Sequence, residues 1–221
     1  PASPMPPAEV AVDAALVRRL LAAQAAQLAD LPLRPLSSGW DNETFRLGDH
    51  LTVRLPRRAV AAPLVENEGR WLPTLAPHLP LAVPEPVHVG VPGEGYPWAW
   101  TICRWVPGRP LDEEPPLDPV DAATRLGDFL RALHRPAPPE APRNPYRGTP
   151  LAGRDAAVRE RLAQVAELVD VDALGARWEA AQAAPLHDGA PTWIHGDLHP
   201  LNVVVDHGRL VGVIDFGDMC A

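Results

Sequence analysis

A few polar side chains near the C-terminal end of the sequence have the types and spacing to hold a hard cation beside a proton acceptor. The stretch WIHGDLHPLNVVV, Trp193 to Val205, runs an apolar strand into a tight polar turn and back into an apolar strand. The turn presents His195, Asp197, His199 and Asn202. Asp206-His207-Gly208 then reads as a second turn, and RLVGVID returns as a strand ending on Asp215. A hairpin sets its two ends side by side, so Asn202 and Asp215 meet at one edge with Asp197 beside them. An amide oxygen and a carboxylate suit a magnesium-like ion. Phosphoryl transfer needs that set: the cation neutralises charge on the β- and γ-phosphates, while a carboxylate orients the attacking hydroxyl and takes its proton. On this reading Asn202 and Asp215 are the Mg2+ ligands and Asp197 is the catalytic base. Asp-Phe-Gly after a strand agrees with the metal role. His195 is expected to brace the loop, and His199 is open to either role.

A rival reading makes His195, Asp197 and His199 a zinc site, because alternate positions on a strand share a face. Gly196 and Pro200 argue for a turn instead, and no further His or Cys lies nearby in the sequence to complete such a site. A polar turn without chemistry is the plainer alternative, and the joint spacing of Asp197, Asn202 and Asp215 argues against it.

The elements that position these residues are legible from periodicity. Ala8 to Asp30 reads as a helix closed by Pro32 and Pro35. TFRLGDHLTVRLP reads as a β-hairpin around Leu47 to His50, and LVENEGRWLPTLA as a helix kinked or ended at Pro73. PVHVGVP and YPWAWTICRWV are two further strands. Beyond Val106 the pattern turns helical: Val120, Ala123, Leu126, Leu130 and Leu133 form one stripe, and Arg154 to Asp170 and Ala173 to Ala184 follow. TWI, NVVVD and RLVGVID are short strands. The expected division is residues 1–106 as a nucleotide-binding lobe with a five-stranded sheet, and 107–221 as a lobe carrying the catalytic loop.

The bulk numbers narrow the partners. The net charge is −8, and all 20 basic residues are Arg. An acidic chain without a basic run is a poor ligand for nucleic acid or an anionic membrane. The 29 prolines gather in connecting stretches, and two cysteines make no disulfide framework. With no signal-peptide pattern at PASPMPPAEV and no bilayer-length apolar run, a soluble cytoplasmic protein is expected.

HGDLHPLN followed by a hairpin and DFGD resembles the aminoglycoside phosphotransferase family, of protein-kinase-like fold. VRLPRR and LPLAVPEPV are similar to its macrolide phosphotransferase members. The resemblance runs from about Leu36 to the end. It implies an α+β, two-lobed fold, with an antiparallel N-lobe sheet and a mainly helical C-lobe. It also implies ATP or GTP as co-substrate and a small-molecule hydroxyl acceptor of aminoglycoside, macrolide or metabolite type. Within it, SSGWDNETF is the loop over the phosphates, with Ser38, Gly39 and Asn42 nearest them. Arg54 stands where most kinases carry Lys; its acidic partner is Glu68, with Glu66 the alternative. Arg104 to Val106 is the inter-lobe hinge whose backbone would meet the purine.

Two departures accompany the resemblance. Arg54 retains the charge of the usual Lys and can grip oxygens with two donors, but its bulk and fork geometry differ. Family members also continue past DFGD with helices that complete the C-lobe and shape the acceptor site. The chain is therefore expected to be truncated there, with poor activity on its own. Both departures support an alternative: a kinase-like module that holds nucleotide without transferring phosphate. Antibiotic resistance and ordinary metabolism are both open as roles.

Overall fold

A computed structural model of the chain describes residues 5–221. Five strands form an antiparallel sheet: β1 (Leu33–Ser38), β2 (Asn42–Leu47), β3 (Leu51–Pro56), β4 (Pro86–Gly90) and β5 (Trp100–Arg104), in the order β1-β2-β3-β5-β4. The expected hairpin is β2–β3, with Leu47 opposite Leu51 and Thr44 opposite Arg54.

Helix α1 (Ala14–Gln24) is shorter than the helix read over Ala8 to Asp30. It starts where the Asp13 carboxylate accepts from the Leu16 N–H, satisfying a donor that the helix itself cannot. Leu16, Val17, Leu20 and Leu21 are buried against Phe45, Leu47, Val53, Leu55, Trp100 and Ile102 of the sheet.

Helix α2 (Ala62–Leu75) crosses beside the sheet. It runs through Pro73 and ends two residues later, at Leu75. Val65, Glu68 and Leu72 share its buried face, and Glu66 is exposed. That face settles the choice between the two glutamates, because three- and four-residue steps keep 65, 68 and 72 on one side.

The second half contains α3 (Pro119–Leu133), α4 (Asp155–Gln164) and α5 (Val171–Ala183) with a three-stranded sheet, β6 (Arg109–Pro110), β7 (Val203–Asp206) and β8 (Arg209–Val213), in the order β6-β7-β8. β6 was not expected from the sequence. It is possible because Gly108, at φ +122°, lies so close to β7 that a Cβ there would fall 2.4 Å from the Val205 carbonyl oxygen. TWI is not a strand; Thr192 and Ile194 make only single bridges, to Pro136 and Cys220.

The buried stripe of α3 is rotated from the one expected. Ala122, Phe129 and Leu133 are buried, while Val120 is 76% exposed. The large Phe129 ring decides the rotation by packing edge-on against Phe216, 6.4 Å between centroids. These residues join Leu72, Leu75, Trp193, Val203 and Val213 in a second hydrophobic cluster. Ala82 links the halves: its N–H donates to Val211 O and its carbonyl accepts from Val213 N–H, at 3.0 and 2.9 Å. α4 ends at Gln164 rather than Asp170, and neither α4 nor α5 has a buried residue. The two are tied through Asp155, which accepts from Trp178 and Gln182 at 2.8 and 2.9 Å.

Candidate active site

A cleft of ≈470 Å³ opens between the two halves. Gly39, Asn42, Arg54, Asp197, Asn202 and Asp215 line it, with Trp40, Leu64, Arg147 and Asp218. Six of the residues assigned from the sequence thus share one wall-to-wall space, although they span the chain from the β1–β2 loop to the end of β8. A larger cleft of ≈940 Å³, lined by His134, Arg143, Gln182 and His187 among others, contains none of them.

Val203 pairs with Val213, and the Ile214 N–H donates to the Asn202 carbonyl at 2.9 Å, so Asn202 and Asp215 leave adjacent strand ends. Phe216 is fully buried and Asp215 is not, its side chain being 51% exposed. Asp215 has φ +62°, an unfavourable region for a residue with a Cβ, and such strain collects at sites where side-chain aim matters.

Arg54 joins the two halves of the site. Its Nη1 donates to both carboxylate oxygens of Glu68 at 2.7 Å, and its Nη2 donates to Asp215 Oδ1 at 2.9 Å. One guanidinium thereby serves two carboxylates, which the planar fork of arginine permits. Burial acts against charge on both partners of the inner pair. On Arg54 it is outweighed by the attraction of Glu68 and then Asp215, so the guanidinium stays charged. Burial lifts the Glu68 carboxyl, Arg54 opposes the rise and Asp215 adds to it, leaving Glu68 pushed up to about 7. The double contact of one Nη1 with both oxygens is that of a guanidinium with a carboxylate, so the pair as it stands is ionised.

The turn from His195 to Asn202 is held by close backbone and ring contacts. Gly196, at φ +86°, lets the chain pass so close to Asp218 that a Cβ would meet its carbonyl oxygen at 2.2 Å. His195 is buried under Phe216, 4.7 Å between rings. Its Nδ1 accepts from the Asp197 N–H at 3.2 Å, so Nε2 carries the proton and donates to the Ile214 carbonyl at 3.0 Å. Both ring nitrogens are thus committed to backbone, as expected of a brace. This is unfavourable for the zinc reading, which needs a free nitrogen lone pair.

These contacts require a neutral ring, and burial lowers the His195 pKa below its ordinary 6.5. An unfolded His195 binds its proton near pH 6.5 and the folded one only at lower pH. The brace therefore stabilises the protein above about pH 6.5, and this contribution is lost as pH falls through the lowered folded value. Urea denaturation against pH should show stability declining on the acid side, with a shallower decline in His195→Gln. Equal slopes in the two proteins would refute this.

The cleft's donor set suits a hard divalent cation. Asn202 Nδ2 donates to the Asp197 carbonyl at 2.9 Å, which leaves the amide oxygen as the free acceptor end. Asp215 gives one oxygen to Arg54 and keeps Oδ2 without a donor among the described residues. Two protein oxygens, with remaining positions for phosphate and water, match the way magnesium is bound.

Four residues assigned from the sequence lie apart from this centre. Ser38 donates its hydroxyl to Glu43 at 2.6 Å. Glu68 stands behind Arg54, 1% exposed. Arg104 ends β5, with its N–H committed to the Glu85 carbonyl at 2.9 Å and its side chain paired to the same glutamate. Val106 is buried against Gly212. The loop over the cleft is tied down by Arg57, whose Nη1 donates to the Gly39 carbonyl at 2.7 Å.

Sequence reasoning missed Arg147. It reaches Asp197 and Asp218 from a proline-rich connection with no periodicity to flag it. The repeated acid of DFGD was the one available signal for Asp218.

A sheet-bearing half joined to a mainly helical one across a cleft of acids, with a buried basic–acidic pair behind it, defines a protein-kinase-like phosphotransferase. The chain belongs to the phosphotransferase enzyme family, whose family model matches residues 32–221. Among solved structures it is similar to the GDP and kanamycin complex of APH(2")-IIia, with a TM-score of 0.63 and 23% identity over 92% of this chain and 73% of that one. It is also similar to the macrolide 2'-phosphotransferase MphH from Brachybacterium faecium, with a TM-score of 0.57 and 28% identity over 92% of this chain and 71% of that one. The streptomycin–ATP–APH(2")-IIa ternary complex matches with a TM-score of 0.57 and 21% identity over 96% and 72%. No curated protein matches the chain. No helix among the described residues is long and apolar enough to cross a membrane.

Proposed function

We propose that the protein transfers the γ-phosphoryl group of ATP or GTP to a hydroxyl of a small-molecule acceptor of aminoglycoside, macrolide or metabolite type. The observation that carries this reading is the linked set Glu68–Arg54–Asp215, which opens on the same cleft as Asn202 and Asp197. Asn202 and Asp215 would hold Mg2+, which supplies charge neutralisation on the β- and γ-phosphates when bound. Arg54 fixes Asp215 and presents a permanent cation to the phosphates. Gly39 lies on the loop that covers them, between Ser38 at the end of β1 and Asn42 at the start of β2, and the backbone of Arg104 to Val106 is the proposed hinge for the purine. Asp197 accepts a hydrogen bond from the acceptor hydroxyl and takes its proton as the oxygen–phosphorus bond forms. The bond from γ-phosphorus to the bridging oxygen breaks, and its electron pair leaves with the nucleoside diphosphate. We place residues 1–106 and 107–221 as the two lobes, working on a cytoplasmic nucleotide pool.

The test is to incubate the full-length protein with ATP or GTP and kanamycin, gentamicin, streptomycin or a macrolide, and to read acceptor phosphorylation by mass spectrometry. Product should form with magnesium and vanish with a chelator. The second reading, a module that binds nucleotide without transfer, is favoured by one contact: Arg54 already occupies an oxygen of Asp215. Magnesium-dependent nucleotide binding with neither product nor hydrolysis would support that module. Absence of magnesium-dependent nucleotide binding would exclude both readings.

A further inference from the structure

The connection after α3 returns across the cleft and delivers one cation to two acids. Arg147 Nη2 donates to Asp197 Oδ1 at 2.7 Å and to Asp218 Oδ2 at 3.0 Å, and its Nε lies 3.3 Å from the same Asp218 oxygen. Asp218 is itself held, because Asn144 Nδ2 donates to its other oxygen at 2.7 Å. The Asn144 side-chain oxygen in turn accepts from the Tyr146 N–H at 2.9 Å, which shapes the turn that aims Arg147. All three charged side chains are only partly exposed, at 34, 34 and 27% for Arg147, Asp197 and Asp218, so bulk water screens them incompletely.

An unrestrained carboxylate rotates and presents either oxygen. Here Oδ1 of Asp197 is engaged by Arg147, while Oδ2 lies 3.3 Å from His199 Nε2, which limits its swing on the other side. We propose that Arg147 is a positioning residue for phosphoryl transfer: anchored on Asp218, it pins one oxygen of Asp197 so that the other faces the incoming hydroxyl. The proposal rests on Asp197 acting as the base. A planar guanidinium can bridge the two acids with fixed geometry, whereas a lysine ammonium would supply charge without the fork.

The test uses the full-length protein, with ATP and GTP as substrates and water as acceptor. Arg147→Ala should lower magnesium-dependent hydrolysis by about ten- to a hundredfold, the scale of a misplaced catalytic group. The KM for nucleotide should stay within about twofold, because the lost contact acts on the reacting step rather than on nucleotide binding. Arg147→Lys should fall between the two. Added guanidinium should restore part of the activity of Arg147→Ala and none of Asp197→Ala, a pattern that a general loss of folding would not give. Full hydrolysis by Arg147→Ala beside an inactive Asp197→Ala would overturn the role of Arg147 and leave the base standing. An active Asp197→Ala would overturn the base assignment and this proposal together. Thermal unfolding gives a readout independent of turnover: the Tm shift of the double variant should be smaller than the sum of the single shifts, and strict additivity would overturn the contact.

Discussion

Asp197→Asn should lower turnover by orders of magnitude and leave nucleotide binding in place. The substitution preserves volume and keeps one oxygen for the Arg147 contact, but it deletes the negative charge that the proposed mechanism uses to orient and deprotonate the attacking hydroxyl. Positioned acid–base groups contribute about 10²- to 10⁴-fold, so kcat should fall within that span. The backbone of Asp197 carries the structural work at this position: its N–H donates to His195 Nδ1 and its carbonyl accepts from Asn202, and both survive the change. Thermal stability should therefore move little. The measurement is single-turnover phosphoryl transfer beside nucleotide affinity by calorimetry. Parental kcat in the variant would remove Asp197 from the chemistry; loss of nucleotide binding would show that it acts on the metal–phosphate assembly instead.

Glu68→Ala should cost both stability and activity, and a compensating pair of substitutions separates the two. Glu68 and Arg54 are 1% and 9% exposed, and deleting the glutamate leaves a buried guanidinium with Asp215 as its remaining carboxylate. Breaking one side of a buried ion pair destabilises by about 3–5 kcal/mol. Replacing both partners with apolar groups of similar size is often neutral, so Arg54→Met with Glu68→Leu should recover most of the lost stability. It should not recover turnover, because nothing then fixes Asp215 or supplies the positive charge that the proposed mechanism sets against the phosphates. Urea denaturation and transfer assays on the three proteins provide the readout. A single variant within about 1 kcal/mol of the parent, the range of exposed pairs, would mean that the contact behaves as a surface salt bridge.

The site was more legible than the walls that hold it. Asp197, Asn202 and Asp215 lie within a short stretch folded by two turns, and a hairpin converts such spacing directly into proximity. The Arg54–Glu68 pair came from the family resemblance, which left Glu66 as the alternative partner. Position 68 rather than 66 follows from the buried face of α2, and hydrophobic spacing already carried that choice in principle. The misjudged elements were those whose outcome depends on distant packing. The face of α3 turned toward Phe216. β6 formed because Gly108 could approach a strand almost a hundred residues later in the chain.

Local order in the chain therefore determined the turn that carries Asp197, the paired strand ends and the family to which they belong, because backbone hydrogen bonding between near neighbours leaves little freedom there. Tertiary structure alone decided the rest. It set Arg54 between Glu68 and Asp215, left Ser38, Arg104 and Val106 outside the cleft's lining, and brought Arg147 from a connection without periodicity onto Asp197. Such contacts join segments far apart in the chain, and their partners are chosen by packing and charge in three dimensions, for which no local pattern codes.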